Sequence, residues 1–380
     1  MNNNRQLYID NIRLLMIILV VLMHIAVTYS GMGGWYYVET DPDRLDIIQL
    51  IFFGFNQAFW QAFFMGILFL IAGYFTPTSY DKKGFTKFIK DRFFRLGLPT
   101  IIYMLVIHPL LVFVILGYRA DIGSSLVMAY ADYIKGLHFL GGSGPLWFAF
   151  ALLIFSIIYA LLRLLFPKLK ETDKSFPTTQ KIIGLILLIS ICAFLIRIIQ
   201  PIGTDILNMQ LGYFSSYIVL YIVGIMCKRN NWFEKLDYST GKVWLVCAIS
   251  IGFVMFAVIM ILGGALEGDI ESINGRGTWQ SAAFALWESF VAVSISIGLL
   301  AFFKKKYNRQ NKIVKRLSRN AFSVYVFHSL IIVSLSLLFK SVNVIPIVKF
   351  LTLAIIGIPI CFLCTDLTIQ RIPFLRKLFA

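Results

Sequence analysis

Polar and apolar positions sort this chain into ten long apolar runs separated by polar loops. The runs cover about 9–30, 48–75, 97–118, 145–166, 182–200, 211–227, 243–263, 280–303, 320–339 and 345–365, and Gly, Pro, Asp or Lys mark the loops between them. Most are close to the roughly 20 residues that a helix needs to cross the hydrocarbon core of a bilayer. The ten-residue segments of alternating polarity that a membrane β-barrel requires are not visible. The expected fold class is therefore an all-α polytopic membrane protein with about ten transmembrane helices. The longest pieces between runs, 76–96, 119–144, 167–181, 264–279 and 304–319, are each too short to bury a soluble core. One integral membrane domain over 1–380 is expected. No internal repeat or inverted pair of broken helices is evident, as many transporters would show. The first run is too long for the apolar part of a signal peptide and lacks a small-x-small cleavage site, so it is expected to remain as a span.

Composition agrees with this reading. Of 380 residues 59% are hydrophobic and 14% charged, against about 25% charged in soluble domains. A net charge of +16 would suit a nucleic-acid partner, but the distribution of the charge argues against one. Assigned to alternate loops, 28 of the 35 Lys and Arg fall on the side of the N-terminus and seven on the other. The excess marks the cytoplasmic side, and ten spans bring the C-terminus back to it. The basic face suits topology and lipid headgroups first, and an anionic cytoplasmic ligand second. The five cysteines all lie in or beside apolar runs; Cys361 and Cys364 have C-x-x-C spacing without a second pair, so packing is expected rather than a metal site.

Within the first run, "RLLMIILVVLMH" places Arg13 and His24 eleven residues apart. On a helix this brings them within about 20° of one face, with His24 some 16 Å deeper. Ionisable groups at such depth usually face the bundle interior or a water-filled path. Alone, Arg13 reads as a positive-inside anchor and His24 as an imidazole bonded to a neighbouring helix; together they suggest a channel. Arg92 and Arg95 stand i, i+3 before the third run, among Lys82, Lys83, Lys87 and Lys90. Guanidinium forks suit phosphate, although an amphipathic interfacial helix would look the same. His328 lies inside the ninth run, and Glu288 is the acidic residue well inside the eighth. His108 precedes a proline and suits a kink, while His138 lies in an outer loop. Trp35, Tyr36, Tyr37 and Trp279, near Glu39, Asp41, Glu267 and Glu271, suit sugar faces and hydroxyls, or simply form an aromatic belt.

The R-x10-H of the first run, the R-x-x-R after the second, "GPLWF" at 144–148 and "VYVFHSLIIV" at 324–333 together resemble the membrane-bound acyltransferase-3 family. "YIDNIRLLMIILVVLMHIAVTYS", "FLIRIIQPIG" and "QLGYFSSYIVLYIVGIMCKRNNWF" resemble its glucan biosynthesis protein C branch. Where the family often has histidine in its fourth-span motif, this chain has Pro145. The resemblance implies transfer of an acyl group, acetyl or succinyl, from cytoplasmic acyl-CoA to a hydroxyl of a glycan or lipid-linked glycan outside a bacterial plasma membrane. It implies Arg13, Arg92 and Arg95 on the donor's phosphates and His24 as general base, with a covalent acyl-histidine as the other route. His328 and Arg197 are candidates to stabilise the oxyanion, and Glu288 would orient an imidazole or bind the acceptor sugar. Trp147 and Arg197 are expected on the substrate, Arg197 as the basic partner of a carboxylated acyl group. No metal is expected, and a homodimer is compatible with the sequence. Ten spans and buried ionisable groups also suit two alternatives: a transporter of a small anionic or acylated solute, and a non-catalytic subunit that binds a lipid-linked glycan.

Overall fold

The computed structural model describes residues 6–117, 125–166 and 173–379. Arg5, Arg119, Lys168 and Lys170, which enter the charge count, lie outside them, as do parts of the loops expected at 119–144 and 167–181. The elements are α1 (Leu7–Ser30), α2 (Ile47–Arg92), α3 (Leu126–Lys135), α4 (Trp147–Leu165), α5 (Thr179–Ile199), α6 (Phe214–Arg229), α7 (Tyr238–Leu262), α8 (Trp279–Lys306), α9 (Lys312–Leu338), α10 (Pro346–Leu367) and α11 (Pro373–Phe379), with short helical turns between them. Among the described residues nine helical stretches are long and apolar enough to cross a membrane. In hydrocarbon the helix satisfies every backbone polar group within its own segment.

The difference from ten runs lies at the second and third, which join into one stretch, Ile47–Ile115. At 69 residues the stretch is long enough to cross twice. Its backbone breaks at Gly84 (φ 71°, ψ 175°), a left-handed conformation that glycine adopts without penalty. Beyond the break it folds back, so that Lys83 pairs with Asp91 at 2.7 Å and the rings of Tyr80 and Phe88 meet at 5.5 Å. The return crossing runs through three π-helical turns, Phe93–Gly97, Tyr103–Ile107 and Leu110–Ile115. They fall around Pro99 and Pro109, whose missing N–H groups interrupt the regular ladder. Such turns often accompany functional sites.

Helix α1 is central and packs against α2, α8, α9 and α10. The backbone N–H of Tyr8 donates to Asn308 Oδ1 (3.2 Å) and Asn11 Nδ2 to the Tyr307 carbonyl (2.6 Å). At the other terminus, the Ser323 hydroxyl donates to the Phe379 carbonyl (2.7 Å) and Lys377 lies over the Phe94 ring. The N-terminal helix thus meets the loop between α8 and α9, the most basic loop of the sequence, and the C-terminal end meets α9 and the return crossing. Helix α9 starts at Lys312, two turns before the apolar run, so His328 sits about 24 Å along it.

Helices α2 and α6 cross at glycine on both sides. A Cβ on Gly73 would stand 2.0 Å from the Tyr221 carbonyl oxygen, and one on Gly224 would stand 2.1 Å from that of Leu70. Small residues permit such backbone approach where lipid provides no hydrophobic drive for association. Gly224→Val should therefore cost about 1–3 kcal/mol or more, read as a lower melting temperature in detergent. Gly184→Ala, with open space around its Cβ position, should leave the melting temperature unchanged.

Candidate active site

His24 lies about 25 Å along α1 from its first residue, closer to the end that carries the 31–46 loop. Its Nδ1 is 2.9 Å from Nε2 of His328 on α9. The Nδ1 of His328 faces the carbonyls of Tyr325 (2.9 Å) and Val324 (3.2 Å). A carbonyl only accepts, so His328 Nδ1 carries the hydrogen, and in the neutral ring its Nε2 is then an acceptor. His24 must therefore donate from Nδ1, which leaves its Nε2 as a bare lone pair. Two helices and a pair of carbonyls thus fix the tautomer of the ring.

The 31–46 loop covers this pair. Gly31 ends α1 in the left-handed region (φ 70°), and a Cβ there would stand 2.3 Å from the Thr40 carbonyl. The loop returns across the helix end, with Glu39 N–H donating to the Thr28 carbonyl (2.8 Å). Trp35 comes to lie flat on His24, with ring centroids 3.7 Å apart and planes 18° apart. Its indole Nε1 is buried and has no hydrogen-bond partner in the protein. Tyr36 holds the loop in place: its hydroxyl meets Tyr103 (3.2 Å) and His108 Nδ1 (3.0 Å), and Tyr103 continues to Ser329 (2.7 Å). Gly144 of "GPLWF" makes room for this, since a Cβ there would stand 2.4 Å from the Tyr36 hydroxyl. Pro145 contributes its carbonyl, which accepts from the Tyr325 hydroxyl. His108 thus anchors the loop from its place between two π-turns, directly before Pro109.

A cavity of about 1050 Å³ reaches His24, Trp35, Trp147, Tyr325 and Glu288 and is bounded by residues of the 31–46, 202–210 and 265–274 loops. By the charge count these loops are extracytoplasmic. The two aromatic and acidic groups expected on sugars separate here. Trp35 lines the cavity, whereas the Glu39 carboxylate is tied to Lys349, which also donates to the Phe339 carbonyl (3.2 Å).

Arg197 and Glu288, 91 residues apart, form a buried ion pair. Arg197 is fully buried, donates from Nε to the Gly212 carbonyl (3.0 Å) and lies over the Tyr213 and Phe284 rings. Glu288 lines the cavity while Arg197 stands behind its wall. Trp147 also lines the cavity, its ring 5.7 Å from that of Tyr217.

The arginines that the charge count assigns to the cytoplasmic side gather elsewhere. Arg13 is half exposed, 3.9 Å from Asp10. Arg92 is tucked over the Phe88 ring (4.9 Å) with its Nε buried and unbonded, while Arg95 is exposed and pairs with Asp91 (3.2 Å). The two arginines differ in environment, Arg92 half-buried and Arg95 exposed, and a π-turn begins between them at Phe93. None of the three lines the cavity. Between Arg92 and the cavity runs a column of rings: Tyr221, Phe155, Phe69, Tyr217 and Trp147, each 5.0–5.7 Å from the next. Tyr221 lies in electrostatic reach of Arg92.

A family model described as an acyltransferase domain matches residues 6–366. Over 314 residues the chain is 24% identical to glucans biosynthesis protein C of Salmonella gallinarum (strain 287/91 / NCTC 13346), covering 78% of this chain and 76% of that protein. No solved structure matches.

Removing one member of a buried ion pair strands the other in low dielectric. Arg197→Met alone should destabilise the fold by about 3–5 kcal/mol, read as a loss of melting temperature, and adding Glu288→Gln should restore most of it.

Proposed function

The chain belongs to the acyltransferase-3 family, and on that premise we propose that it transfers an acyl group from cytoplasmic acyl-CoA, acetyl-CoA or succinyl-CoA, to a hydroxyl of a glycan or lipid-linked glycan at the outer face of a bacterial plasma membrane. The observation that carries the proposal is the bond of His24 Nδ1 to His328, which leaves Nε2 as the lone pair, on a residue that lines a cavity bounded by the 31–46, 202–210 and 265–274 loops. A neutral imidazole is suited to take a hydroxyl proton at working pH. The name of the Salmonella relative favours a glycan acceptor.

In this reading His24 Nε2 removes the proton of the acceptor hydroxyl as its oxygen attacks the thioester carbonyl. The hydrogen bond from Nδ1 to His328 steadies the imidazolium that forms. The tetrahedral oxyanion needs a preorganised donor. Both ring nitrogens of His328 are engaged, and Arg197 stands behind the wall. The unbonded indole N–H of Trp35, on the ring stacked against His24, is buried in the free protein and would become that donor where the incoming thioester uncovers it. Collapse expels the coenzyme A thiolate, which takes the proton back from His24; an ester and a free thiol result.

Arg92 would hold the donor's phosphates, joined by Arg95 and Arg13 at the cytoplasmic rim. To bring the thioester to His24, the pantetheine arm must displace the ring column between Tyr221 and Tyr217. Glu288 and Trp147 would meet the acceptor. A transporter of an anionic solute is less well served, because none of the three arginines reaches the cavity.

Three variants test the assignment in purified protein with labelled acyl-CoA and envelope glycans. His24→Ala should lower kcat by at least about 10²-fold and leave coenzyme A binding in place. Arg92→Ala should weaken coenzyme A binding about tenfold or more, the scale of a lost charged hydrogen bond. Trp35→Phe keeps the stacked ring but removes the N–H, and should lower kcat about 10²-fold with little change in KM. Wild-type kcat in His24→Ala would refute the base.

A further inference from the structure

The outer cavity carries a charge pattern opposite to that of the whole chain. The protein has a net charge of +16, yet none of the described residues lining the cavity is Lys or Arg. Its ionisable carboxylates are Asp43 and Asp205 near the loops and Glu288 in the wall. The buried Arg197 is absent from the lining and is paired through Nη2 with Glu288, its Nη1 remaining buried and unbonded.

The hydrogen-bonding groups lean the same way. Three side-chain amides in the lining already give their N–H groups to the protein. Gln57 donates to Ser30 Oγ (2.7 Å), Gln61 to the Tyr217 hydroxyl (3.2 Å), and Asn208 to Ser143 Oγ (3.0 Å) and the Gly144 carbonyl (2.8 Å). Among the described residues nothing donates to their carbonyl oxygens, and the bare Nε2 of His24 is an acceptor too. Gln210 offers an amide N–H in the other direction, since its oxygen is engaged by Gly203 N–H (3.3 Å). A ligand must therefore bring many donors. Hydroxyls do this and can also accept, whereas a carboxylate, sulfate or phosphate ester only accepts. An anion there would face like charges and unpaired acceptors in a partly desolvated space, where neither is well screened.

We propose that this cavity excludes anionic groups: its acceptor is an uncharged polyhydroxyl glycan, stacked on Trp147 and bonded through its hydroxyls to Glu288 and the three amides, and the acyl group delivered to His24 carries no carboxylate. The second half rests on the acyl-transfer reading above; the first does not.

Binding and turnover separate the two. Purified full-length protein is titrated with a neutral gluco-oligosaccharide and with the uronate oligosaccharide of the same length, followed by tryptophan fluorescence. The neutral sugar should bind at least about tenfold more tightly, which is about 1.4 kcal/mol. Asp43→Lys, an exposed change, should narrow that gap at low salt, and Glu288→Gln should narrow it further. Equal or tighter uronate binding, or no binding of either sugar, overturns the proposal. Turnover of acetyl-CoA and succinyl-CoA on the same neutral sugar forms the second arm. A preference of at least about tenfold for acetyl supports the charge rule. Equal use of both overturns it and leaves acyl transfer standing. Selective binding of the neutral sugar with no transfer from either thioester supports the cavity rule and overturns the acyl-transfer reading instead.

Discussion

The site depends on one hydrogen bond inside the bundle, between the imidazoles of His24 and His328. A single buried histidine has two neutral forms, and burial does not choose between them. Here the choice is made two steps away, by backbone carbonyls at the turn before His328, which can only accept. The constraint passes through one ring to the other, so that the lone pair left over belongs to the nitrogen of His24 not engaged with α9. Stacking against Trp35 then holds the plane of the ring. Much of the outer architecture serves this arrangement: Gly31 turns the chain back, Lys349 grips Glu39, and Tyr36 locks into the Tyr103 and His108 network.

The division of labour across the membrane follows from charge. By the charge count cations collect at the end assigned to the cytoplasm, where the proposed polyanionic carrier would arrive. Acceptors and carboxylates collect in the outer cavity, where a hydroxyl-rich substrate would enter. The column from Tyr221 to Trp147 keeps the two zones apart. A thin, flexible arm could part such rings, while a hydrated sugar or a phosphate would not pass them without losing its water.

Much of this was legible in the chain. Apolar run length revealed the crossings, because hydrocarbon admits few solutions to backbone hydrogen bonding. It could not reveal that two crossings join through one helical stretch, since Gly84 breaks the backbone in a polar segment that has no apolar period of its own. The R-x10-H spacing placed His24 on the right helix, and helical geometry placed it at depth. Its partner was named as a candidate, but no periodicity links residues on α1 and α9. Trp35 was read as one of several outer aromatic residues. Only the returning loop turns it inward, and its one signal was a glycine-flanked aromatic run, "GMGGWYY", directly after a span. Arg197 was considered for an anionic acyl group because charge was all the sequence showed. Its pairing with Glu288 is long-range and could not be read in advance. Likewise the i, i+3 spacing of Arg92 and Arg95 assumed a regular helix, and it could not show the π-turn that begins between them or that Arg92 lies over the Phe88 ring.

The tautomer of His24 tests this account most directly. With ring-15N-labelled histidine, the chain offers four imidazoles, and a single substitution at each assigns its signals. The account predicts that His24 in the neutral protein carries its hydrogen on Nδ1 with a bare Nε2, and that His328→Phe releases this preference. A His24 ring protonated on Nε2 in the native protein would contradict it.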